Sequence, residues 1–212
     1  MSDDLYEYIR DPKEIYRRSF AAVEQASNFT HLPEAMRPLA ARVVHACAMP
    51  EVAADLAWDG NPVEAATEAL RSGATIFADA QMVAYGITRS RLPADNPVVC
   101  TLNDPRVASH AKTIGNTRSA AAVDFWGEGL EGAIAVFGNA PTALFRLLEH
   151  LHNGGHKPAA ILAFPVGFIG AAESKDALIA QAYGVPFVTL RGRRGGSAMA
   201  AAAVNAFGSE PR

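Results

Sequence analysis

The chain has 212 residues, half of them apolar and 19% charged, with a net charge of −3. That composition supplies a large core and excludes a disordered chain, and the slightly acidic balance gives no reason to expect nucleic acid as a partner. A length of this order suits one domain over 1–212, helical to about residue 73 and alternating strand and helix after it.

The opening MSDDLYEYIR is acidic and lacks the apolar stretch of a secretory signal, and no apolar run is long enough to span a bilayer. The two cysteines, Cys47 and Cys100, lie in apolar runs and read as buried free thiols. A soluble, cytoplasmic protein without a membrane partner is the expectation. Asp11-Pro12 starts a helix, because Asp caps free amides and Pro suits the first helical position. That helix, roughly Lys13 to Ala26, turns Ile15, Phe20 and Val23 inward, with Ser19 at the edge of the buried face. Pro33 can open the next helix, and Pro38 either kinks it or marks its true start.

The stretch Leu39–Met49, LAARVVHACAM, is apolar apart from Arg42 and His45, so it reads as a mostly buried helix. Arg42 and His45 are three residues apart and therefore neighbours on one helical surface. Burying both is costly unless each has a partner. Either the protein satisfies them internally, or they face a cavity where a ligand does so.

Pro62–Ser72 is an amphipathic helix closed by Gly73 as a left-handed cap. From there short apolar runs alternate with helical patterns. Thr75–Ala78 precedes a helix to Gly86, and Val98–Leu102 precedes Pro105–Ile114. Ala133–Phe137 is followed by a helix from Pro141, Ala159–Phe164 by one from Ala172, and Val185–Leu190 by one from Ser197. The alternation predicts an α/β fold, a mainly parallel sheet with helices on both faces in a single domain.

In such sheets ligands bind outside the carboxyl ends of the strands. The segments at those ends are rich in arginine, glycine and hydroxyl groups. Thr88 lies in GITRSRL, Arg118 in GNTR at the start of a helix, and Asn139 in GNAPT. Arg191, Arg193, Arg194 and Ser197 lie in RGRRGGS. Glycine admits a ligand close to the backbone, helix N-termini offer amides to anions, and guanidinium forks match carboxylates. Loops of this kind meeting at one crevice suggest a ligand with many carboxylates. A dinucleotide fingerprint, a Walker lysine, a zincin motif and a nucleophile elbow are all missing from the sequence. His150, His152 and His156 span Gly154-Gly155 at spacings that do not put three imidazoles on one helical face, so a solvated helix end is the reading rather than a metal site.

The segments YIRDPKEIYRRSF, RVVHACAM, ITRSRLP, CTLNDPRV, GNTRSAAA, GNAPTALF, PVGFIGAAESK and GVPFVTLRGRRGGSAMAAAAVNA, in this order, resemble the precorrin-8X methylmutase family from Tyr8 to about Asn205. The chain departs from the family at Ala48, where glycine is common, and across 50–60. The resemblance implies a step of cobalamin biosynthesis: an intramolecular methyl shift from C-11 to C-12 that turns precorrin-8X into hydrogenobyrinate, with no cofactor and no metal. It implies His45 as proton donor and acceptor, with Ser19, Arg42 and Arg118 contacting a tetrapyrrole edged by acetates and propionates. Thr88, Asn139, Arg193, Arg194 and Ser197 complete the candidate substrate contacts. A homodimer with sites near the interface is implied as well. Two alternatives remain: the cobalt-precorrin-8 reaction of the anaerobic route, and a corrinoid carrier in which His45 is only an axial ligand.

Overall fold

Stretches such as Ile134–Phe137 and Ala160–Ala163 are buried along their whole length, as strands must be when helices cover both faces of a parallel sheet. The computed structural model describes residues 5–208, so the first four residues of the acidic opening lie outside the described residues. Its strands are β1 (Leu56–Asp59), β2 (Ile76–Ala78), β3 (Val98–Val99), β4 (Ile134–Phe137), β5 (Ala160–Ala163) and β6 (Phe187–Leu190). They form one sheet in the order β1-β6-β5-β4-β2-β3. Every pairing is parallel except β1 with β6, where Leu56 lies opposite Leu190.

The helices are α1 (Pro12–Ala26), α2 (Arg37–Cys47), α3 (Pro62–Arg71), α4 (Gln81–Gly86), α5 (Val107–Thr113), α6 (Arg118–Val123), α7 (Pro141–His152), α8 (Ala171–Ala180) and α9 (Ser197–Asn205). Alternate strand residues feed two cores. Ile134, Val136, Leu162 and Val188 pack with residues of α2, α3, α4 and α9. Ala135, Phe137, Ile161 and Phe187 pack with residues of α7 and α8. The two-sided α/β expectation is met, with one strand more than the sequence reading placed. β1 falls inside the region read as helical. It pairs at an edge with a strand some 130 residues later, so its partner is not legible locally.

The expected strand Val98–Leu102 stops at Val99. Thr101 turns away to bond Ala122 O at 2.7 Å and to receive the Trp126 indole N–H at 3.1 Å. Asp11 caps α1 as anticipated, accepting the Lys13 amide at 3.0 Å, and Gly73 is left-handed at φ +82°. Pro38 sits in the first turn of α2 and marks its true start. The end of α2 explains the Ala48 departure. Ala48 adopts φ +55°, a conformation that glycine takes freely and that disfavours other residues by about 1–2 kcal/mol.

The buried face expected for α1 is a correction. No residue of α1 is buried, and Ile15 is 46% exposed. Phe20 and Val23 are partly buried against the α2 side of the core. In α2 itself Leu39, Ala40, Ala41, Val43 and Val44 are buried, whereas Arg42 is half-buried and His45 exposed. The helix is therefore buried along one side only.

The strand order changes direction between β2 and β4, which places a topological switch there. Its crevice is closed by the protein's own carboxyl group. Asp79, 3% exposed at the end of β2, accepts from the amides of Gly138 at 2.9 Å, Asn139 at 2.9 Å and Ala140 at 2.7 Å. Burial pushes this carboxyl up from its usual range, against the pull of the three amides. Its loss strands three amides at about 1–3 kcal/mol for each buried one. Asp79→Ala should therefore destabilise the fold by about 3 kcal/mol, lowering Tm by about 6–12 °C in a domain of this size. A melting curve within about 2 °C of wild type would show that water replaces the carboxylate at no loss.

Candidate active site

Helix α1 lays its Tyr16–Ser19–Phe20 side across the polar stripe of α2. Ser19 Oγ lies 3.0 Å from His45 Nδ1, and the Phe20 ring stacks on the imidazole at 4.8 Å between centroids, tilted 19°. The Arg42 guanidinium donates to Tyr16 Oη at 2.7 Å and lies 5.4 Å above the Phe20 ring. Arg42 and His45 are therefore partnered by α1 at the surface rather than sunk in the core. The imidazole is held on one nitrogen and one face. Its Nε2 has no protein partner among the described residues. Such a ring is oriented to exchange a proton with an incoming molecule.

The loops at the strand ends touch one another in sequence around the carboxyl edge. Thr117, before α6, shares a 2.8 Å hydrogen bond with Thr142 of α7. Gly138 is packed so closely that a Cβ there would meet Ser197 Cα at 2.8 Å. Gly196 donates to Phe164 O at 2.8 Å, and Gly167 donates to Arg193 O at 3.2 Å. Arg194 pairs with Glu51, just past the end of α2, at 3.1 Å. Burial pushes the Cys47 thiol up from its usual range, and the charges of Glu51 and Arg194 also reach it. The arginine loop thus stands beside the end of α2 that carries His45. Cys47 and Cys100 are free but only half-buried, less enclosed than expected.

The candidate residues divide accordingly. Ser19, Arg42 and His45 are in mutual reach through α1, and Asn139, Arg193, Arg194 and Ser197 lie in the contiguous loops. Arg118 is exposed beside them and donates to Leu102 O at 3.2 Å. Two anion sites offered by the sequence are occupied internally. The GNAPT amides belong to Asp79, and Thr117 Oγ1 caps α6 through the Ala120 amide at 3.1 Å, so side chains rather than backbone must meet a ligand there. Thr88 lies apart. Its amide bonds Asn205 at the far end of α9 from Ser197, at 2.8 Å. Arg191 turns to a shallow pocket with Trp58, Asp59 and Ile179.

Tyr16, Glu51, Phe168 and Lys175 were not picked out from the sequence. Tyr16 was detectable one turn before Phe20 once α1 was placed on α2. The side chains of Phe168 and Ile169 are 86% and 90% exposed, and those of Met82 and Tyr85 72% and 84%. All four follow the ends of parallel strands, so apolar surface accompanies the arginines. The three histidines of 150–156 meet different surroundings. His150 packs on Gly155, His152 lies 3.3 Å from Tyr183 Oη, and His156 is 3.4 Å from Glu131.

Comparison with known proteins adds the chemistry. The family model described as precorrin-8X methylmutase matches residues 14–209. The precorrin-8X methylmutase of Pseudomonas aeruginosa is 56% identical over 97% of this chain and 99% of that protein. The cobalt-precorrin-8 methylmutase of Salmonella typhimurium is 38% identical over 94% of this chain and 96% of that one. A crystal structure of a precorrin-8X methylmutase from Thermus thermophilus superposes with a TM-score of 0.83 at 37% identity, covering 92% of this chain and 94% of that one.

Proposed function

Because the chain belongs to the precorrin-8X methylmutase family of isomerases, we propose that it moves a methyl group from C-11 to C-12 of precorrin-8X, with His45 lending and recovering one proton. The observation that carries this reading is the His45 imidazole, fixed by Ser19 and Phe20 with its Nε2 unclaimed. Protonation at or near the ring C nitrogen polarises the macrocycle, so the methyl migrates between adjacent carbons, and return of the proton completes an isomerisation that consumes nothing. An imidazole suits both halves because a ring nitrogen can both give and take a proton. The greater identity to the precorrin-8X enzyme than to the cobalt-precorrin-8 enzyme, 56% against 38%, supports a metal-free substrate.

The macrocycle's acetates and propionates meet Ser19, Arg42, Arg118, Asn139, Arg193, Arg194 and Ser197, while Phe168 and Ile169 offer apolar cover for its face. A cytoplasmic setting accords with the free thiols of Cys47 and Cys100. No helix among the described residues is long and apolar enough to cross a membrane. The chain acts as a homodimer in this reading. Leu5, Tyr6, Tyr8, Ile9 and Ile15, all in or just before α1, are exposed, and a second copy covering them would bring the interface to the Ser19–His45 corner.

His45→Ala should retain macrocycle binding and lose turnover by about a hundred- to ten-thousandfold. Mixing the folded variant with precorrin-8X and following the absorption change checks this, and near wild-type conversion would refute the assignment. A carrier would return the substrate unchanged even with His45 in place. For the carboxylate contacts, titration of hydrogenobyrinate absorbance should show Arg118→Ala weakened by about ten- to a hundredfold and Arg191→Ala little changed. Salt should weaken wild-type binding, because exposed pairs are screened over about 10 Å. Equal affinities in all three proteins would make Arg118 ordinary surface charge. Sedimentation should give a dimer at micromolar concentration, and an active monomer would contradict the shared interface.

A further inference from the structure

Lys175 of α8 is fully buried at 0% exposure, an unusual place for an ammonium group. Its Nζ donates to the Arg194 backbone carbonyl at 2.6 Å. Burial pushes its pKa down to about 8, opposed by the charges of Asp176 and Asp55. A buried cation is costly to desolvate, and an apolar side chain of similar length would fill the same space without that penalty. The carbonyl it grips is therefore informative. It belongs to Arg194, beside the point where two guanidiniums diverge, Arg193 over the Phe168 ring at 5.2 Å and Arg194 to Glu51 at 3.1 Å.

The same segment is tied down twice more. Gly167 donates to Arg193 O at 3.2 Å and Gly196 to Phe164 O at 2.8 Å. Between them Gly195 runs so close to the neighbouring loop that a Cβ would lie 2.3 Å from Phe164 O. The loops 164–170 and 191–196 are therefore a single stitched unit, and Lys175 is its buried post.

We propose that Lys175 is a positioning residue for substrate binding: it holds the Arg193–Arg194 loop in the conformation from which the Arg193 guanidinium reaches the acidic edge of the macrocycle, beside the Arg194–Glu51 pair. This rests on the reading of that loop as a carboxylate site. A merely structural lysine would, on removal, reduce the amount of folded enzyme and leave the KM of the folded fraction alone.

The test compares Lys175→Met, Lys175→Gln and Arg193→Ala with wild type, measuring KM and kcat for precorrin-8X together with Tm. Lys175→Met should raise KM by about tenfold with kcat per folded enzyme within about twofold, and Lys175→Gln, which keeps a donor, should fall between. Amide exchange in the wild type is independent of any folding defect. The Gly196 and Gly167 amides, bonded to Phe164 O and Arg193 O, should be protected before hydrogenobyrinate is added, with no further slowing on binding. Unchanged KM in folded Lys175→Met beside a raised KM in Arg193→Ala would overturn the role of Lys175 and leave the loop reading standing. Unchanged KM in both would overturn the two together. Exchange at the rate of an open chain in the free protein would also overturn the proposal.

Discussion

The architecture of the site depends on one buried carboxylate. Asp79 occupies the switch point of the sheet and binds three successive amides of the loop after β4. In many open α/β sheets that crevice is where a ligand phosphate or carboxylate lies. Here the position is filled from within, so the loops after β2 and β4 are locked to each other before any ligand arrives. That leaves the side chains around the rim to meet a ligand. A macrocycle is too broad to enter such a crevice and has its acids at its periphery, so a rigid rim of guanidiniums suits it better than a deep amide nest.

The proposed proton-transfer group stands outside the α/β layers. His45 is on α2, and its orientation comes from Ser19 and Phe20 on α1, a helix with no buried residue of its own. The alignment of the His45 imidazole therefore depends on how α1 is held. Few of its contacts lie in the core, so α1 belongs to the low-stability end of the molecule. The arginine loop shows the opposite design, stitched from three sides with a buried lysine under it. In the proposed reading a core-anchored α2 carries the imidazole, an outlying α1 orients it, and a fixed arginine rim locates the macrocycle beside it.

Much of this was legible in the sequence because it is local. Asp11-Pro12, Gly73 and the apolar runs before glycine-rich turns state their structure within a few residues, and the α/β class follows from their alternation. The nearness of Arg42 to His45 was legible from their helical spacing, whereas the pairing of Ser19 with His45 was legible only through family resemblance, since those two are 26 residues apart. Strand β1 was hidden because its partner is distant. The anion sites at GNAPT and GNTR looked open because a run of amides does not reveal that Asp79 or Thr117 already fills them. Lys175 was passed over because a lysine in sequence carries a strong expectation of exposure. Arg191 and Arg193 are two residues apart, and only coordinates show that one faces Trp58 and the other Phe168.

In the proposed reading one macrocycle meets both His45 and the arginine rim. A crystal structure of the protein with hydrogenobyrinate tests it most directly. Ring C is expected within hydrogen-bonding reach of His45 Nε2, about 3 Å, with peripheral carboxylates on Arg193 and Arg118. A macrocycle bound with ring C turned away from His45, or seated on a face that carries none of these arginines, would contradict it.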